Sequence, residues 1–165
     1  MKNALNFIFL FALITIFSSC KKDEYQPKGD YQEAGDYPEM SSQITTIYTW
    51  TYSSPSYFGE IYNSEITQNV IDNGAVIVYA NSGTNTWSQL PVTFYQSSSY
   101  STTLEVVTYP NTVRIYWTDS DLTQPATPPA MTFKVVVFTP KMLFENPGIN
   151  FNNINEVEEV LSKYN

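Results

Sequence analysis

Few side chains in this 165-residue chain could carry out catalysis or hold a metal. There is no histidine, which removes the commonest general base and the commonest metal ligand. The β-prone region holds Glu60, Glu65, Asp72, Glu105, Asp119 and Asp121, and a glycoside hydrolase needs two such carboxylates across a cleft. No spacing singles out a pair, so solvation, capping and turns account for these acids, and no enzyme is expected. Asp119 and Asp121 flank Ser120 and form the best calcium candidate, but "LTQPATPP" after them brings few side-chain oxygens. An Asx-type turn explains the pair better. The chain contains no G-x-S-x-G elbow, P-loop or dinucleotide fingerprint, and no lysine lies near the serines at 97–99. The expectation is no metal and no cofactor.

Aromatic side chains are the chemical excess, with thirteen Tyr, ten Phe and three Trp. Tyr and Trp on a β surface stack on sugar rings or fill protein interfaces. In "ITTIYTWTY" (44–52), Ile44, Tyr48, Trp50 and Tyr52 alternate with mostly Thr, so their common face is expected to turn inward. Tyr57, Phe58, Tyr62, Trp87 and Tyr100, in or near loops, are the ligand-binding candidates. A glycan or a protein would suit them. Nucleic acid would not, because the chain has no basic patch and a net charge of −8.

The only cysteine, Cys20, follows a positive Lys2, an apolar run over 4–17 and the small pair Ser18-Ser19. Fourteen helical residues reach ~21 Å, short of a ~30 Å hydrocarbon core, but the run has the length of a secretory h-region. "IFSSC" resembles the lipobox of bacterial lipoproteins. That resemblance implies cleavage after residue 19, lipid on Cys20 and anchorage to a membrane, whereas a signal peptide with an incidental cysteine is the bland alternative. Lipidation accounts for an unpaired cysteine in an exported chain. Three acyl chains exceed the two signals that anchor stably. Lys22, Asp23 and Glu24 resemble the export signal that sends Bacteroidota lipoproteins to the outer face of the outer membrane; a solvated charged tether explains them equally.

Residues 20–40 are dense in charge, Pro and Gly, which is tether composition. Twenty flexible residues reach about 25 Å. Beyond 40, β-branched and aromatic residues dominate, and residues 41–165 read as one all-β domain, mainly an antiparallel β-sandwich. Strands are expected at 44–52, 75–80, 87–95, 101–109, 112–118 and 131–139. "AVIVYA" (75–80) is nearly continuous in apolar residues, as for a strand buried on both faces. If Pro110-Asn111 turns the chain, Leu104 faces Trp117, Glu105 faces Tyr116, Val106 faces Ile115 and Val107 faces Arg114. Glu105 and Arg114 are then diagonal neighbours of opposite charge. A short helix near 65–73 is expected between Ser64 and Gly74. A second near 155–164 opens on an Asn155/Glu158 capping box, and its Ile154–Val157–Leu161–Tyr164 stripe could cover strand 131–139.

The phrases "ITQNVIDNGAVIVY", "WSQLPVTF" and "FKVVVF" (the GAVIVY, W-x-x-LP and FKVVVF motifs), with the acidic C-terminal helix, resemble an uncharacterised β-rich domain of Bacteroidota lipoproteins. Some members carry a Gly-x-y tract that this chain lacks. The resemblance implies an envelope protein and no known activity. The reading is a lipid-anchored, non-catalytic surface binding or adhesion module on the outer membrane. The alternatives are a periplasm-facing structural lipoprotein and, behind it, a carboxylate-dependent glycan hydrolase.

Overall fold

A computed structural model describes residues 41–84, 86–123 and 125–164. Cys20, Lys22, Asp23 and Glu24 lie outside the described residues. The elements are β1 (Ser41–Ile47), β2 (Thr51–Ser53), β3 (Ser56–Tyr62), α1 (Gln68–Asn73), β4 (Ala75–Gly83), β5 (Thr86–Gln89), β6 (Val92–Tyr95), β7 (Ser101–Tyr109), β8 (Thr112–Asp119), β9 (Met131–Phe138), α2 (Pro140–Glu145) and α3 (Ile154–Leu161). They build a four-stranded sheet, β1-β9-β4-β5, and a five-stranded sheet, β2-β3-β8-β7-β6, antiparallel throughout. The expected all-β sandwich is the fold.

Strand β9 reads MTFKVVVF because both of its faces are buried. Phe133, Val135 and Val137 face the five-stranded sheet and join Leu104, Val113, Ile115 and Trp117 in the inter-sheet core. Val136 and Phe138 point the other way, into a second core with Val157, Val160 and Leu161 of α3 and Met142 of α2. Lys134 alternates with them and is only 6% exposed; its ammonium pairs with Glu158 and lies 5.0 Å from the centre of the Trp87 ring. Strand β4 follows the same rule, with Val78 and Ala80 inward and Tyr79 toward the helices. The stripe on α3 covers β9, as its spacing predicts.

Hairpin β7–β8 has the predicted register: Leu104 opposite Trp117, Glu105 opposite Tyr116, Val106 opposite Ile115 and Val107 opposite Arg114. Asn111 has φ 61 after Pro110, the arrangement of a type II turn. The turn docks on the chain after β3. Asn111 N donates to Ile66 O at 2.7 Å, and Asn63 N donates to Asn111 O at 2.9 Å.

Four expectations need correction. The segment 44–52 is not one strand: β1 ends at Ile47 and the chain crosses to the other sheet before β2, leaving Ile44 and Tyr48 exposed while Trp50 is buried. Segment 87–95 likewise divides into β5 and β6 on different sheets around Leu90-Pro91, where proline has no N–H for a ladder. Helix α1 is capped by Thr67, whose hydroxyl accepts from Val70 N, rather than by Ser64. Helix α3 is capped by Asn153, so Glu156 takes the third position and accepts from Asn150 N, while Glu158 is left for Lys134. The expected stop at Gly74 does occur, and a Cβ there would come within 2.3 Å of Phe138 O. Helix α2 was not expected; Thr139 caps it and proline occupies its first turn.

Two predictions follow from the cores. Trp117→Ala should lower unfolding free energy by about 3–5 kcal/mol, while Val107→Ala on the opposite face of the hairpin stays within about 0.5 kcal/mol. Denaturant titration checks both, and the reverse order would mean a register slipped by one residue. Tyr79 is fully buried, donates to Phe151 O at 2.6 Å, and burial pushes its pKa from 10.0 up to about 12. The unfolded phenol ionises first, so stability should fall as pH rises from about 10 to about 12. Tyr79→Phe should flatten that fall in melts recorded across the same window.

Candidate binding face

The four-stranded sheet is covered on both sides, by the other sheet and by α2 and α3. Among the described residues the five-stranded sheet is covered on one side only. Its inner residues alternate with outer ones along every strand, so the sequence of β3, β7 and β8 determines what the outer face displays. Among the described residues nothing covers it.

Register places Glu60, Arg114 and Val107 in one row across β3, β8 and β7. Phe58, Tyr116 and Glu105 form the next row on one side, and Tyr62, Thr112 and Tyr109 the next on the other. Arg114 is the centre of this patch. Its Nε and Nη2 donate to Glu60 Oε1 at 2.9 and 2.6 Å, and its Nη1 donates to Tyr116 Oη at 3.4 Å. The guanidinium lies 4.6 Å from the Phe58 ring centre and 5.5 Å from that of Tyr109. Phe58 and Tyr116 are themselves in ring contact at 6.2 Å. The bond to Tyr116 and those to Glu60 hold the guanidinium protonated well above its ordinary range. The result is a flat aromatic surface with one charge locked in place and largely balanced by Glu60.

The five aromatic candidates disperse. Phe58 and Tyr62 lie on this face, Tyr62 being 68% exposed. Tyr57, next to Phe58 in sequence, points the other way and is buried, with its ring 5.1 Å from Tyr52 and its hydroxyl 3.3 Å from Thr127 Oγ1. Trp87 is not an exposed contact residue: it is half-buried against the helix-side core beneath Lys134. Tyr100 is half-buried at the turn before β7, where its carbonyl accepts from Gln96 N and Ser97 N. Tyr57 and Trp87 therefore leave the list of surface contacts.

Glu60, Tyr109, Arg114 and Tyr116, which share this face, were not among the sequence candidates. The hairpin register already put Arg114, Tyr116 and Val107 on one face, but nothing local says that β3 lies beside β8. The ionic partner of Arg114 is accordingly Glu60, its cross-strand neighbour, rather than the diagonal Glu105.

The metal candidates are otherwise engaged. Asp119 is buried and accepts from Thr102 Oγ1 at 2.6 Å, and Asp121 Oδ1 accepts from Thr123 N and Oγ1 in an Asx turn. No group of three or more His, Cys, Asp or Glu among the described residues converges as a metal site. Thr102→Val, which keeps the shape and removes the donor, should cost about 1–3 kcal/mol by leaving the Asp119 carboxylate short of a partner. Thermal melts with and without excess calcium should coincide; a calcium-dependent rise would reinstate Asp119 and Asp121 as ligands.

No family model, curated protein or solved structure matches this chain.

Proposed function

We propose that this chain is a lipid-anchored envelope protein whose β-sandwich is a non-catalytic binding module, with the open face of the five-stranded sheet as its contact surface. One observation carries the binding reading: the Phe58 and Tyr109 rings and the Tyr116 hydroxyl flank a guanidinium already fixed by Glu60 on a sheet face left uncovered among the described residues. A side chain that is held before a ligand arrives loses little conformational entropy on binding. The anchoring reading rests on the apolar run, Ser18, Ser19 and Cys20, and outward display rests on Lys22, Asp23 and Glu24. The resemblance to Bacteroidota lipoproteins with an uncharacterised β-rich domain supports the same placement on the outer membrane.

Two variants test the two halves. Cys20→Ser should abolish palmitate labelling and detergent partitioning; unchanged labelling removes the anchor from the reading. A Phe58→Ala/Tyr109→Ala/Arg114→Ala variant that still folds should stop purified protein from adhering to envelope glycans or proteins. Adhesion equal to wild type would leave a structural lipoprotein with no ligand on this face.

A further inference from the structure

One more row completes the open face. Ser53, Ser56, Thr118, Thr103 and Thr93 stand side by side, one from each of the five strands, with Ser53 opposite Ser56, Thr118 opposite Thr103 and Thr103 opposite Thr93. Ser56 Oγ and Thr118 Oγ1 are 2.7 Å apart and join the β3 and β8 members directly. Thr93 Oγ1 and Thr103 Oγ1 are 2.9 Å apart. The row crosses the whole sheet, four strand intervals or ~19 Å, and runs parallel to the Phe58–Tyr116 row about two residues away along the strands.

We infer that the ligand of this face is an uncharged polysaccharide lying across the strands, its hydroxyls on the Ser/Thr row and its ring faces on the neighbouring aromatics. This deepens the binding reading above and depends on it. Ser56 is buried and serves to hold Thr118, whereas Ser53, Thr118, Thr103 and Thr93 each have one donor and two acceptor positions, so a bond to a neighbour leaves them capacity for a sugar hydroxyl. The row's length suits an extended polymer better than a small molecule. Charge decides the class of polymer. Arg114 is held by Glu60, Glu105 adds a further carboxylate to the face, and the chain carries net −8, so a polyanion gains no free cation and meets repulsion. Tyr and Phe rings beside unpaired hydroxyl capacity match the apolar faces and equatorial hydroxyls of neutral pyranoses.

The test is native affinity electrophoresis of the full-length lipidated protein in detergent. The gels carry neutral mannan, xylan, laminarin or glycogen, or anionic polygalacturonate or heparin. At least one neutral polymer should retard the protein and neither anionic one should. Thr103→Val/Thr118→Val should weaken that retardation roughly tenfold, about what two neutral hydrogen bonds contribute. Thr132→Val, which breaks the equivalent hydroxyl pair with Thr46 on the other sheet, should leave it unchanged. Circular dichroism and melting confirm that the variants fold. Retardation that survives the double variant overturns the inference, as does failure of every neutral polymer. Preference for an anionic polymer, lost in Arg114→Ala, overturns the neutral class while keeping the binding face. Self-association lost in the double variant identifies a second copy as the occupant and overturns the glycan. Loss of envelope adhesion in the Phe58/Tyr109/Arg114 variant, with no glycan bound, separates failure here from failure of the broader reading.

Discussion

Strand β9 carries the structure because it has no solvent face. Each alternate residue enters a different core: Phe133, Val135 and Val137 between the sheets, and Val136 and Phe138 beneath the helices. Two layers would have left Val136 and Phe138 in water. The helical layer exists to remove that surface, at about 25 cal/mol per Å² of apolar area buried. It also explains Lys134, the one charged residue on the strand, whose stem lies in the core while its ammonium reaches Glu158. A buried ion pair of this kind is weak evidence for stability, since both ions had to be desolvated. It does fix which part of α3 sits over β9.

The asymmetry of the layers then sets the asymmetry of the surface. With the helices drawn to the four-stranded sheet, the outer face of the five-stranded sheet is left open among the described residues, and antiparallel sheets accept this when the open face is polar or amphipathic. Here the face divides along the strand direction into an aromatic and guanidinium end and a hydroxyl row. Cross-strand pairs hold both: Glu60 with Arg114, Ser56 with Thr118, Thr93 with Thr103. Such pairs order the side chains before any ligand meets them.

The inner face depends on packing of a different kind. Trp117 touches Trp50 at 6.3 Å and Phe94 at 5.3 Å, both edge-on, and Trp50 also meets Phe133 at 6.2 Å. The indole nitrogen of Trp50 donates to Pro129 O at 3.0 Å, tying the proline-rich connection between β8 and β9 to the core. The aromatic excess thus serves three ends, the inter-sheet core, the helix-side core that takes Tyr79, Phe138 and Trp87, and the open face, and side-chain parity sends neighbouring residues to different ones. Tyr57 and Phe58 are adjacent and point in opposite directions.

Local sequence by itself determined the β class, the strands read at 75–80, 101–109, 112–118 and 131–139, the β7–β8 register, and the use of α3 as a lid on β9. These follow from period-two and period-3.6 patterns and from a turn whose Pro-Asn pair permits only some geometries, all of which act over a few residues. It did not determine where a strand-like run changes sheets, as at 48–50 and 90–91, because both halves of such a run carry the same β propensity. Nor did it place β3 beside β8. That pairing is a contact between residues 54 positions apart, Glu60 and Arg114, and no local pattern encodes it. Only the tertiary structure could therefore separate Phe58 from Tyr57, withdraw Trp87 into the second core, and assemble the face from three strands. A side chain's direction is set by its own strand, but whether water or protein lies in that direction is set by the rest of the chain.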